Sequence, residues 1–386
     1  MPTRASADLS GLSLLSACLP PFIHASEGTS RLMTTPVQPV SPAEPLPHRK
    51  VLRSWLEALS RRTTAYPVVL LLLDYVLFAG LIALVVLARS IAVKLTGALA
   101  AGFVIGRLFI IGHDACHQSL TPHRWLNRWL GRLAFLPSLT PYSLWEVGHN
   151  VVHHGHTNLK GFDFIWAPLS LAEFRALSRR RRWLERIYRS GWAPGLYYMV
   201  EIWWRRMFFP GKTAMPTRRP VFFRDCLLVT AFGAGWLGVL AWAAVATGQP
   251  VPLVMVFGFV VPFLFWCSMI GFVVYVHHTH ERVRWYDDRA AWTRAQPFVS
   301  TTVHLTFRWR FGALMHHIME HTAHHLDMSI PLYRLEEAQA KLEELLPQRI
   351  VIQPFSWRWY FATARHCKLY DFEAGRWTDY DGRVCS

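Results

Sequence analysis

The chain has 386 residues, of which 52% are hydrophobic and 18 are tryptophan, with a formal net charge of +16. Its apolar residues come in long blocks, more than a soluble core needs, which points to a membrane protein rather than a soluble globular domain. In a soluble domain the basic excess would raise nucleic acid as a partner; here most Lys and Arg lie outside the apolar blocks, so no nucleic-acid partner is expected.

Residues 1–48 are rich in Ser, Pro and Ala without a sustained helical period, and read as a disordered tail. Leu15 to Cys18 resemble a lipoprotein cleavage box, but the apolar run before them is weak for a signal peptide, and Met33 is an alternative start. Residues 48–64 form a basic entry segment. Four apolar blocks follow, each long enough to cross a hydrocarbon layer that needs about 20 helical residues: 66–88, 91–111, 226–248 and 251–276. The first holds Asp74 and the second Lys94 and Arg107. Lys94 is long enough to snorkel outward, whereas Asp74 needs a partner inside the protein.

The connection from 114 to 224 carries Arg179 to Arg182 and Arg205 and Arg206, whereas the turns near Arg89 and Gln249 are short. By the positive-inside rule the long connection is cytoplasmic. Both termini then lie in the cytoplasm and two helical hairpins dip into the bilayer. Within the connection, residues 125–145, broken by Pro137 and Pro141, and residues 194–209 are aromatic, half-apolar pieces that suit either the headgroup layer or a cytoplasmic cap. After the fourth block the chain is polar, residues 330–346 have the spacing of a surface helix, and residues 347–386 read as a cytoplasmic tail. The six cysteines show no CxxC or zinc-finger spacing and suit a reducing compartment. The fold class expected is an all-α integral membrane protein, with four transmembrane helices in two hairpins and a helical cytoplasmic cap.

Ten of the 19 histidines fall in three clusters: His113 and His117; His149, His153 and His154; and His316, His317, His321, His324 and His325. His113 and His117 are four apart, one helical turn, and point the same way. His149 and His153 repeat that spacing, and His154, rotated by about 100° from His153 on an α-helix, is placed to reach a second ion. His321, His324 and His325 share one helical arc. An even number of crossings separates the clusters, so all face the cytoplasm and can converge. His277, His278 and His280 add a fourth source of ligands at the end of the fourth block. Imidazole suits zinc, copper, iron and nickel; many neutral nitrogens beside an apolar region fit iron used for oxygen chemistry. Asp114, Glu146, Glu320 and Asp327 are placed as acceptors for imidazole N–H groups.

With these residues in place, the chain resembles the membrane fatty acid desaturase superfamily from about residue 66 to 346. That family pairs two histidines across three or four residues in its first box and places a histidine two or three residues ahead of a His-His pair in the other two. TNLKGFDFIWAP at 157–168, YVHHTH at 275–280 and MEHTAHHLDMSIP at 319–331 resemble bacterial acyl-lipid desaturases. The resemblance implies two non-haem irons held by His113, His117, His149, His153, His154, His321, His324 and His325, with His278 as ninth ligand. His280 and His316 are further candidates. It also implies that O2 and two electrons remove hydrogens from adjacent methylenes of a lipid acyl chain, leaving a cis double bond and water, in a tunnel lined by residues such as Trp145 and Trp166. No His-Pro-Gly-Gly motif of a fused cytochrome b5 is present, so the electrons come from a separate donor such as ferredoxin or a reductase. A bacterial inner-membrane location is expected, with the metal site cytoplasmic.

Box two has three residues between His149 and the His-His pair, a spacing also used by alkane hydroxylases of the superfamily. A di-iron hydroxylase or ketolase of an alkane, fatty acid or carotenoid is therefore the enzyme alternative. A metal transporter or haem electron carrier is the non-enzyme one, disfavoured because no histidine falls inside the four apolar blocks.

Overall fold

The computed structural model describes residues 38–384. The lipoprotein-like box and Met33 lie outside them. Among the described residues, four helices are long and apolar enough to cross a membrane: Ala65–Leu87, Ile91–Cys116, Pro220–Ala246 and Val251–His278, called spans one to four below. The fold is mostly helical, as expected.

Span two is the centre of the packing. Its most apolar stretch is 67% buried, against 28%, 22% and 39% for spans one, three and four. It packs on span one, on span four and on the helix Arg124–Phe135. Small residues allow the close approach to span four: a Cβ on Gly102 would lie 2.8 Å from the Pro262 carbonyl oxygen and from the Phe265 Cβ, and one on Gly106 would overlap the Met269 side chain.

The helices outrun the apolar blocks. Span two continues through the first histidine cluster to Cys116, with His117 as its C-cap. Span four ends at His278, so His277 and His278 occupy its last turn. Histidines thus do sit on these helices, though at their ends. Span three starts six residues before the apolar block, with Pro220 at its first turn, where the missing N–H costs nothing.

The connection after span two folds as short helices. Arg124–Phe135 stops before Pro137, and the next helix, Tyr142–Trp145, runs into a π-helical segment, Glu146–His153. Tyr75 of span one donates its hydroxyl to the Leu133 carbonyl, tying the first of these helices to the membrane helices. Residues 194–209 form another helix with π-helical geometry at Tyr198–Met207.

Two expectations are corrected, and the C-terminal segment proves to be packed. The chain is not all-α: Val303–Thr306 pairs in parallel with Val351–Pro354, and Leu369–Asp371 pairs antiparallel with Arg376–Thr378. Residues 347–384, expected as a cytoplasmic tail, pack against the rest of the protein. Tyr360, Leu369, Tyr370 and Trp377 are buried, Tyr360 donates its hydroxyl to the Gly191 carbonyl at 2.6 Å, and Trp377 Nε1 donates to the Val283 carbonyl at 3.1 Å. At the other end, the described part of the expected N-terminal tail is anchored: Val40 is buried and its N–H donates to the Leu345 carbonyl. Residues 330–346 form a 3₁₀ turn and the helix Leu335–Leu345, whose Leu335, Ala338, Leu342 and Leu345 face the core.

Asp74 finds its partner inside the protein. It is fully buried, and its carboxylate accepts from Arg107 Nε and from His316 Nε2, each at 2.9 Å.

Candidate metal centre

Three separate stretches of chain bring their imidazoles to one place. The last turn of span two carries His113 and His117, the π-helical segment carries His149 and His153 with His154 at its end, and a short buried helix, His321–Leu326, carries His321, His324 and His325. The end of span four adds His278. One ligand atom from each of His113, His117, His149, His154 and His324 lies within 4.8 Å of the others, and His153, His278 and His325 form a second such group.

The π-helical turn decides which histidine joins which group. In an α-helix residues four apart share a face; here the His154 N–H donates to the His149 carbonyl five residues back, so positions five apart line up. His149 and His154 therefore meet, Nε2 to Nε2 at 3.0 Å, and His153 turns to the second group. This reverses the pairing expected from α-helical spacing.

The distances suit ions. Two nitrogens each about 2.1 Å from one ion, at right angles, stand about 3 Å apart. The Nε2 separations are 2.7 Å for His113 and His149, 3.4 Å for His113 and His117, and 3.1 Å for His154 and His324. A single hydrogen bond cannot account for so many converging nitrogens. The Nδ1 atoms of His149, His154 and His324 are buried without a partner among the described residues. Burial among other imidazoles pushes His149, His154, His321 and His325 well below the usual histidine range, and His324 to about 3, so these rings are neutral and their lone pairs are available.

His321 stands at the edge. Its Nε2 is 3.3 Å from that of His278, and its ring stacks on His277 at 4.0 Å.

Neighbouring atoms set ring orientation in three cases. Asp163, buried, accepts from His153 Nδ1 at 3.0 and 3.1 Å, and also from the Asn158 and Ile165 N–H groups. Thr157 donates its hydroxyl proton to the His153 carbonyl, so its oxygen is left to accept from His325 Nδ1 at 3.2 Å. The His117 Nδ1 faces the Met328 sulfur at 3.2 Å. Each arrangement puts the proton on Nδ1 and turns the Nε2 lone pair inward.

The acceptors expected from sequence do other work. Asp114 accepts from the Leu332 N–H, Glu146 from Gln118, and Asp327 from Ser329 while pairing with Arg53. Glu320 faces His317. His280 is turned to Gln353 and to the Arg282 N–H, and His316 to Asp74. Asp163 was missed, although it is the one carboxylate in the stretch 157–168 after box two.

A narrow cavity of about 40 Å³ abuts the two groups, with Phe109, Trp145, Ile270, Val273 and Ile318 in its wall and His113, His149, His153, His278 and His321 at its end. Trp145 lines it as expected. Trp166 does not; it is buried against Tyr197 and Tyr275.

The sequence model of the fatty acid desaturase family matches residues 89–357, a stretch that includes every histidine of both groups. The chain belongs to the fatty acid desaturase family. Among curated relatives of this desaturase, the sn-1 oleoyl-lipid 12-desaturase of Picosynechococcus sp. is 29% identical over 287 residues, covering 72% of this chain and 76% of that protein. The sn-1 acyl-lipid omega-3 desaturase (ferredoxin) of Synechocystis sp. is 28% identical over 255 residues, covering 64% and 66%. A fatty acid desaturase of Bacillus subtilis is 29% identical over 302 residues, covering 77% and 82%.

Proposed function

We propose that this desaturase introduces a cis double bond into the acyl chain of a membrane lipid, using O2, two iron ions and electrons from a separate donor such as ferredoxin or a reductase. The observation that carries the reading is the convergence of two imidazole groups on the end of an apolar cavity. His113, His117, His149, His154 and His324 would hold one ion; His153, His278 and His325 would hold the other, with His321 next to it. Iron bound there supplies the reductive activation of O2 that removal of hydrogen from an unactivated methylene requires.

The protein's own part is placement and exclusion. Asp163 and Thr157 keep the His153 and His325 rings turned inward. Phe109, Trp145, Ile270 and Val273 offer the acyl chain an apolar wall and keep water from the site. At about 40 Å³ the cavity is far below the roughly 300–1,000 Å³ of ordinary ligand pockets, so these side chains must part for a substrate. The long connection, basic and outside the spans, faces the cytoplasm in this reading. Both termini and the metal centre then lie on that side of a bacterial inner membrane, with the spans as two hairpins.

The test is the lipid profile of a host expressing the chain, with His154→Ala as control. New unsaturated acyl chains that vanish in the variant are expected. Hydroxylated products with unchanged unsaturation would overturn the reading in favour of a hydroxylase, and a well-folded preparation with less than one iron per chain would overturn the metal assignment.

A further inference from the structure

A second cavity lies where span three begins, and the chemistry above does not use it. Residues 209–219 and the first turns of span three line an open cavity of about 300 Å³. Its lining combines apolar Phe209, Met215, Phe222 and Phe223 with basic Lys212, Arg218 and Arg219. Arg218 Nε donates to the Lys212 carbonyl, which brings the ends of the basic stretch together. No carboxylate lines the cavity.

The nearest acidic groups do not neutralise it. Asp225 is engaged by Arg132 at 2.9 and 3.3 Å and by the Ser143 N–H at 2.9 Å. Glu146 feels Arg219, but also Arg128 and Arg132. The positive end of the span-three helix, capped by Arg219, adds to the same field.

Depth and position say what such a cavity would take. Phe223, 59% exposed, stands on the first turn of a membrane-spanning helix, so the cavity opens where hydrocarbon gives way to headgroups. Its inner wall touches the metal centre's scaffold. A Cβ on Gly148, the residue before His149, would lie 3.0 Å from the Met215 terminal methyl and 2.9 Å from that of Met207. One methionine separates the basic cavity from the π-helical segment that holds three of the histidines.

We propose that this cavity seats the headgroup phosphate of an anionic phospholipid whose acyl chain is the substrate. The inference rests on the acyl-lipid reading above. Lys212, Arg218 and Arg219 match the phosphate by charge, and the phenylalanines match the glycerol end of the acyl chains.

The test uses the full chain, iron-loaded, in nanodiscs containing either phosphatidylglycerol or an uncharged glycolipid as the oleoyl substrate. With each basic residue near a headgroup giving about fivefold, Lys212→Ala/Arg218→Ala/Arg219→Ala is expected to raise KM for phosphatidylglycerol tenfold or more. kcat should stay within twofold and the glycolipid KM should not move. Native mass spectrometry should show phosphatidylglycerol retained by the wild type and lost from the variant, and inorganic phosphate should not compete. Arg218→Lys/Arg219→Lys should keep most of the affinity, which covers the case in which the triple variant folds poorly. A control that removes equal charge elsewhere, Arg308→Ala/Arg310→Ala/Arg358→Ala, should leave KM alone. An unchanged KM in the triple variant, the same rise in the control, or retained phosphatidylglycerol would overturn the proposal. Failure of the wild type to desaturate either lipid would sink the acyl-lipid reading instead, while the mass-spectrometric comparison still decides whether the cavity holds the headgroup.

Discussion

The buried charge in span one allows a sharp test of how the third histidine box is held. Asp74 is fully buried, and its carboxylate accepts from Arg107 through Nε and Nη2 at 2.9 Å and from His316 at 2.9 Å. Arg107 also donates to the Leu314 carbonyl at 2.5 Å. The loop that follows carries His316 and His317 with φ of 47° and 59°, a left-handed pair that other contacts must hold in place. Changing Arg107 to Met leaves a fully buried carboxylate without its cation, at a cost of about 3–5 kcal/mol. That is a fifth or more of the roughly 5–15 kcal/mol that stabilises an ordinary domain. Changing Asp74→Leu together with Arg107→Met removes the charge itself and leaves His316 and the Leu314 carbonyl short of a partner, about 1–3 kcal/mol. The double variant is therefore expected to be more stable than Arg107→Met alone, with a coupling of about 2 kcal/mol or more. Unfolding by sodium dodecyl sulfate in mixed micelles, followed by tryptophan fluorescence, measures it. A cost below about 1 kcal/mol for Arg107→Met, or strict additivity of the two changes, would refute the reasoning.

Asp163→Asn is expected to weaken iron binding at the His153, His278 and His325 group by about 10- to 100-fold, lowering the iron content at limiting iron towards one per chain; colorimetric iron analysis reads this. His278→Ala should abolish desaturation, whereas His280→Ala, whose ring is bound to Gln353, should keep its iron and most of its activity. Acid should destabilise the metal-free protein. Burial holds the folded His324 at about 3, while the unfolded chain protonates near 6.5, so the stability is fully present above about pH 6.5 and falls as the pH drops, by about 2 kcal/mol for this ring at pH 5. Unfolding measured at pH 7.5 and pH 5 checks the sign; greater stability at pH 5 contradicts it.

What sequence reading could reach was set by distance along the chain. The spans were legible because twenty apolar residues in a row have few alternatives, but their ends were not, since His113 to Cys116 and His277 and His278 continue helices that packing, rather than apolarity, sustains. Pro220 was an available signal for the start of span three. The need of Asp74 for a partner was legible; that Arg107 and His316 both supply it was not, because His316 lies 242 residues away. The same holds for the short strands, where Val303 pairs with Val351. The histidines expected as ligands were brought together, whereas their expected carboxylate acceptors were not, because adjacency in sequence does not say which way a neighbouring side chain turns: Asp114, on the same helix as His113, accepts from the Leu332 N–H instead.

The pairing within box two shows where reading by period fails. Three residues separate His149 from His153, and on an α-helix that places His154 off the His149 face. The π-helical turn takes up one residue more than an α-helical turn, so His149 and His154 meet as they would four apart on an α-helix. The longer spacing, which alkane hydroxylases of the superfamily also use, therefore does not separate the two reactions: the π-helical turn absorbs the extra residue. Deleting Val151, half exposed and part of that turn, should convert it to α-helix with His149 and His154 still aligned. The shortened protein is expected to retain at least half of its iron and to make the same unsaturated product. Loss of iron from a deletion variant that remains folded, or a change from desaturated to hydroxylated product, would show that the extra residue itself shapes the site.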